Sequence, residues 1–351
     1  MTGLRLTVLL LLVIAAPARA QERPIEKSLD AAVAAGKLDG LHSVLVWHRG
    51  TVVAERHYPG TDWRWGRSLG RIEPTGDSLH DLRSVTKSIT SLLYGIALAE
   101  GKVPPPEAPL LAQFPDYADL AGDPLRDAIT VGDALSMQMG TEWDENRPYT
   151  DSRNSEVAME MAPDRYRFVL GRPMREAPGR HWIYNGGATA LIGGLIARGT
   201  GRTLDAYARE KLFTPLGIAR FDWIKGNDGV PSAASGLRLG IRDLARIGIM
   251  VARGGRWQGR QIVPADWLER SFEPLAAATS GLRYGYFWWL ASGEGPPTWM
   301  AGFGNGGQRL TIAPNEDLVV AVFAGNYNKP EAWKVPVAVI LEHVVPTLGL
   351  R

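Results

Sequence analysis

Ser84 and Lys87 stand three residues apart at the start of an apolar stretch, and that spacing is able to build a nucleophile. On a helix, positions i and i+3 share one face, so the Lys87 amine can lie beside the Ser84 hydroxyl. A lysine is protonated at neutral pH, with a reference pKa of about 10.4. It must therefore lose its charge, by burial and nearby positive potential, before it can take the serine proton. The apolar positions Val85, Ile89, Leu92, Leu93, Ile96 and Ala97 recur at helical spacing and would carry Lys87 into an interior. Ser84 would then sit at the first turn, where free N–H groups and the positive end of the helix dipole favour a developing oxyanion. Taken alone, a Ser-x-x-Lys pair is common and Lys87 reads more readily as a solvated helix residue. Two facts count against that: the pair occurs once in the chain, and Lys87 is the sole charge between residues 85 and 99.

Positioning elements can be read on both sides. Residues 42–58 alternate around Arg49-Gly50, which predicts a β-hairpin. The helix carrying Ser84 should run to about Glu100 and stop at Gly101 before Pro104-Pro105-Pro106. Residues 106–236 are mostly helical and loop-like, with Thr130 and Asp133 as a capping pair and helices at 188–198 and 204–212. A helix at 241–252 is followed by strand-like runs at 284–290, 298–303, 309–313 and 318–323, then a last helix at 331–343. The expected fold is α/β, of the α+β kind: an antiparallel sheet flanked by helices, built from residues 21–105 and 237–351, with an all-α insertion at 106–236.

Residues 1–20 read as a secretory signal: Arg5, then an apolar run at 6–16, then Ala18-Arg19-Ala20 as the cleavage site. The mature chain would be exported, periplasmic or secreted, without a membrane span. Its loss would leave 37 basic and 37 acidic residues, a balance that argues against nucleic acid as a partner. The chain has no cysteine, which removes disulfides, thiol nucleophiles and most structural zinc sites. Six histidines are scattered without metal-ligand spacing, so neither a metal nor a cofactor is expected; His181, near Tyr184, is the one worth mutating. Gly302-x-Gly304-x-x-Gly307 matches a dinucleotide fingerprint, but strands flank it and no helix follows, so it reads as a hairpin turning at Asn305-Gly306. Gly-x-Ser-x-Gly and His-Glu-x-x-His are absent.

The segment Asp81-Leu82-Arg83-Ser84-Val85-Thr86-Lys87-Ser88 resembles the active-site helix of the serine β-lactamase and penicillin-binding-protein superfamily, in particular its class C-like branch of esterases and 6-aminohexanoate-dimer hydrolases. Four further stretches are similar and in the same order: 134–143, Pro178-Gly179 to Tyr184, Gly236-Leu237-Arg238-Leu239 with Asp243-Leu244-Ala245-Arg246, and Gly306-Gly307-Gln308. The resemblance implies a β-lactamase/transpeptidase-like fold and an acyl-enzyme on Ser84, with Lys87 as base and Tyr184 relaying protons to the leaving group. It implies an oxyanion hole made by the Ser84 N–H and one N–H among Gly302, Phe303 and Gly304. Asn185, Trp143 and Gln308 are candidate substrate contacts, and Trp288-Trp289 a candidate apolar wall. Two departures stand out. Asparagine follows Tyr184 directly instead of one place later, and the strand that should carry Lys-Thr-Gly or His-Thr-Gly reads Trp299-Met300-Ala301-Gly302-Phe303, without a cation. A carboxylate-bearing substrate would lose a partner there, so an ester or linear amide is expected ahead of a β-lactam or a D-alanyl-D-alanine peptide. A peptidoglycan- or peptide-binding protein without turnover is the alternative of another class; the number of subunits is left open.

Overall fold

The computed structural model describes residues 23–350; the expected signal segment lies outside them. Its frame is an antiparallel sheet in which β10 (Ala276–Ala277), β11 (Arg283–Tyr284), β12 (Trp289–Leu290), β13 (Met300–Gly304), β14 (Gln308–Ala313) and β15 (Leu318–Ala324) run in chain order. The sheet then closes back on β1 (Leu41–His48) and β2 (Thr51–His57), the first hairpin of the chain. Arg49 and Gly50 both take positive φ, 46° and 89°, which is the backbone a two-residue hairpin turn demands. Strand alternation gives the sheet two apolar faces. Val44, Val46, Val320 and Val322 pack with α1 (Pro24–Ala34) and the C-terminal helix that begins at α11 (Lys334–Ala338). Leu45, Trp47, Val319, Ala321 and Phe323 face the larger core around α2 (Val85–Ala99) and α9 (Ile241–Ala252).

Between α2 and β7 (Leu237–Leu239) the chain is mainly helical, with α3 (Pro124–Asp127), α4 (Val131–Leu135), α5 (Ser155–Met161), α6 (Arg165–Leu170), α7 (Gly186–Thr200) and α8 (Leu204–Ala208), apart from the short strand Asp222–Trp223 that pairs with β7. The Thr130–Asp133 capping box forms at α4. One apolar cluster runs from the sheet through α2 into α7. No helix among the described residues is long and apolar enough to cross a membrane.

One expectation needs correction. Residues 284–290 are not one strand; Phe287 has φ 62°, and the run folds into the short hairpin β11–β12. Residues 60–72, unassigned from sequence, form the hairpin of β3 (Gly60–Arg64) and β4 (Arg67–Ile72), turned by Trp65-Gly66. The glycine-rich run at 302–307 is a hairpin, pairing Gly304 with Gln308.

Candidate active site

The strand β5 (His80–Asp81) pairs with β7 and delivers the chain into α2. Arg83 turns the corner at φ 49°, a left-handed backbone held by its ion pair with Asp81 (3.2 Å) and by stacking between Trp65 and Tyr327. Ser84 follows as the residue ahead of the first helical turn. Among the described residues no backbone oxygen takes its N–H, whereas the N–H groups of Val85, Thr86 and Lys87 are bonded to the turn behind them. Ser84 lines a cleft of about 350 Å³ together with Trp65, Arg83, Tyr149, Glu156, Glu160 and Lys225.

Lys87 is buried, and its Nζ donates to Ser84 Oγ (3.1 Å), to the Ala234 carbonyl (3.1 Å) and to Glu156 Oε2 (3.3 Å). The expected contact with the serine is present; the expected positive surroundings are not. Burial works against the ammonium, but Glu156, Tyr184 and Glu145 outweigh it and hold the amine above the ordinary lysine range. The Lys87 amine thus faces the Glu156 carboxylate at 3.3 Å, and these surroundings favour the ammonium, opposite to the direction expected from the sequence. Glu156 is buried at α5, positioned by the Asn154 cap, and Ser235 Oγ donates to its other oxygen. Burial pushes its carboxyl up, yet Lys87 and the hydrogen bonds bring it below the usual carboxylate range.

Glu145 lies against the same pair. Its residue is only half-buried, but its oxygens are enclosed by Trp143 Nε1 (2.6 Å), Tyr149 Oη (2.8 Å) and the Gly186 N–H. Burial first, and then the negative charge of Glu156, push its carboxyl up to about 8. A Cβ on Gly186 would come within 2.5 Å of Glu156 Oε2 and 3.1 Å of Glu145 Oε1, so only glycine lets α7 begin against both acids. Sequence reasoning missed Glu145 and Glu156. Their signal was weak: an Asn-Ser-Glu helix start is ordinary, and nothing in one chain links position 156 to position 87.

Tyr184 is brought to the site by the loop ahead of α7. The Lys87 Nζ lies 4.9 Å from its ring centroid. Burial raises its phenol above the ordinary range, against the pull of Lys87 and of the neighbouring Ser84 hydroxyl. Its ring stacks on Trp289 (5.9 Å), and Trp289 on Phe303 (5.0 Å), so Trp289 supplies the aromatic wall while Trp288 is core. In β13, Gly302 and Gly304 face the start of α2. A Cβ at Gly302 would meet Ser88 Oγ and Val85 Cγ1 at 3.1 Å, and one at Gly304 would meet the Leu82 carbonyl at 2.4 Å. Phe303 points the other way, under the Arg309 guanidinium (4.0 Å).

The side chains of the candidate substrate contacts have partners within the fold. Asn185 is buried and caps α7, its Oδ1 accepting from the Ala188 N–H (2.9 Å). Gln308 is buried and braces β15, donating to the Ala324 carbonyl (2.6 Å) and accepting from the Ala324 N–H (3.2 Å). Trp143 is buried and serves Glu145. His181 is exposed and paired with Glu176, away from the cleft lining. Arg309 lines a separate cavity of about 540 Å³ walled by Trp289, Trp299 and Trp333.

Ser84 thus lines the cleft with the buried Lys87 amine 3.1 Å behind its hydroxyl. Residues 25–341 match the family described as Beta-lactamase, and the chain belongs to that family. The 6-aminohexanoate-dimer hydrolase of Paenarthrobacter ureafaciens is 25% identical over 266 residues, 70% of this chain and 65% of that protein. The chain thus spans just under two thirds of that relative's length. The octameric penicillin-binding protein homologue from Pyrococcus abyssi superposes with a TM-score of 0.68 at 19% identity, over 93% of this chain and 77% of the other. EstCE1, a hydrolase with promiscuous acyltransferase activity, superposes with a TM-score of 0.70 at 12% identity, over 90% and 97%.

Proposed function

We propose that the chain is an exported serine hydrolase that cleaves an ester or a linear amide through an acyl group carried on Ser84. The observation that carries this reading is the 3.1 Å contact from buried Lys87 to Ser84 Oγ at the cleft floor. Ser84 Oγ attacks the substrate carbonyl and gives its proton to Lys87, as Lys87 passes one of its own to Glu156. The carbonyl oxygen becomes an oxyanion held by the Ser84 N–H and one N–H of the strand at Gly302, Phe303 or Gly304. Tyr184 protonates the departing alkoxide or amine and is reprotonated from Lys87. Water then attacks the acyl group along the same route, restoring Ser84. The name of the Paenarthrobacter ureafaciens relative points to a linear amide. The cleft is lined by the cations Arg83 and Lys225 as well as by Glu156 and Glu160.

Those same cations favour a second reading, a β-lactamase or D-alanyl-D-alanine carboxypeptidase, because its substrates carry a carboxylate. Arg83 is already paired with Asp81, which places the ester or linear amide first.

Labelling with a fluorophosphonate probe tests the nucleophile. Intact-mass analysis should show one adduct, absent from Ser84→Ala, and that variant should lose at least about 10³-fold in kcat. An adduct mapped to Ser88, Ser91 or Ser136 would sink the assignment.

A further inference from the structure

Arg83, beside the nucleophile, stacks on Tyr327, whose hydroxyl lies 3.1 Å from His80 Nδ1. Behind it three buried side chains from three strands converge: His42 on β1, Asp62 on β3 and His80 on β5. His80 Nε2 is 3.1 Å from His42 Nδ1 and 3.2 Å from Asp62 Oδ1, and the three ligand atoms lie within 4.8 Å of one another. We propose that His42, Asp62 and His80 form a mononuclear site for a divalent transition ion of the zinc type, with the fourth position open to water.

Hydrogen bonds alone do not satisfy this arrangement. If His80 Nε2 carries a proton, it donates well to Asp62 or to His42 but not to both. If it is bare, its lone pair faces the carboxylate. Asp62 Oδ2 is buried with no hydrogen-bond partner at all. A cation between the three meets all these needs at once.

The spacing suits such an ion. Zinc binds imidazole nitrogen and carboxylate oxygen at about 2.0–2.2 Å, which puts neighbouring ligands of a tetrahedron about 3.3–3.5 Å apart. The two contacts around His80 are within a few tenths of an ångström of that. Two imidazoles and a carboxylate without a thiolate suit zinc better than the hard ions magnesium and calcium. The outer shell is also in place: His80 Nδ1 faces the Asp81 carbonyl (3.3 Å) and Tyr327 Oη, the pairing that leaves Nε2 bare for a metal. The His42 ring lines a cavity of about 510 Å³ that passes Gly60 and Gly325, and a Cβ on either glycine would come within 2.7 Å of His42 Nε2. Because β5 leads directly into Ser84, the ion would brace the segment that carries the nucleophile, in a chain with no disulfide to do so.

The test is metal uptake by the full chain after treatment with a chelator, read by equilibrium dialysis with elemental analysis. Zinc(II) should bind at one ion per chain and raise the melting temperature, and cobalt(II) should give the visible bands of a tetrahedral site. Asp62→Asn and His80→Gln should weaken binding by at least about 100-fold and Tyr327→Phe by about 10-fold, while His57→Gln should change nothing. Should either ligand variant fail to fold, His42→Gln at the cavity wall is read in its place. No stoichiometric uptake by the wild-type chain would overturn the proposal. So would uptake that survives the ligand substitutions.

Discussion

At the scale of residues, burial lifts two carboxyls beside the cleft toward neutrality, Glu160 to about 7 and, higher still, Glu145. The Glu145 carboxyl is held up to about 8 by burial and by the charge of Glu156, whereas in the unfolded chain it ionises near about 4.3. The folded state therefore binds a proton that the unfolded state has released. The stability this contributes is complete below the unfolded value and is lost as pH rises through about 8. The melting temperature of the wild type should accordingly fall between about pH 5 and pH 8 and level off above that, and Glu145→Gln, which cannot ionise, should flatten that decline. An unchanged slope in Glu145→Gln would remove Glu145 from the proton inventory. Glu156 has the opposite sign: its folded-state carboxyl lies below the usual range, so its contribution is present above the unfolded value and disappears only in acid.

At the scale of elements, the site depends on how closely β13 approaches the turn into α2. Gly304 is the tightest point, because a Cβ there would lie 2.4 Å from the Leu82 carbonyl and 2.9 Å from Gln308 Cβ. Both obstacles are firm, one being backbone and the other a buried side chain tied to β15. Gly304→Ala should therefore move the strand away from Ser84. The expected cost is about 1–3 kcal/mol of stability in urea unfolding. A displacement of about 1 Å at the proposed oxyanion donors should lower kcat about 10²-fold. Wild-type values for both would show that the strand's position does not matter. The α2 helix itself is robust by comparison, since residues 85–97 are all buried and Gly101 ends it at φ 64°.

At the scale of the whole molecule, the cleft decides the substrate. No cation projects from β13, and Arg309 on the neighbouring strand stacks on Phe303 and faces the aromatic cavity. A substrate carboxylate thus lacks one charge-assisted hydrogen bond, worth about 1.5–3 kcal/mol or about 10- to 150-fold in affinity. Short-chain esters or linear amides should show a higher kcat/KM than nitrocefin or benzylpenicillin. Efficient nitrocefin hydrolysis without esterase turnover would instead make Arg83 and Lys225 the carboxylate site and move the chain to the β-lactamase reading.

The pairing of Ser84 with Lys87, the helix that bears them, the Arg49-Gly50 hairpin and the 241–252 helix were all legible in the sequence, because each rests on spacing within a few residues. The run from 284 to 290 was not, since its apolar residues suit a strand and only the turn at Phe287, set by packing, divides it. Asn185 and Gln308 carry the side chains of a binding site, yet local backbone groups at α7 and β15 claim both. The charge state of Lys87 lay furthest from the sequence. Burial could be foreseen from the apolar helix face, but the opposing carboxylates come from positions 145 and 156, about sixty and seventy residues downstream, and only tertiary packing sets them beside it. His42, Asp62 and His80 were likewise scattered positions until three strands met. Local chemistry follows from local order in the chain, whereas the electrostatic surroundings of a buried group are the sum of everything folded around it.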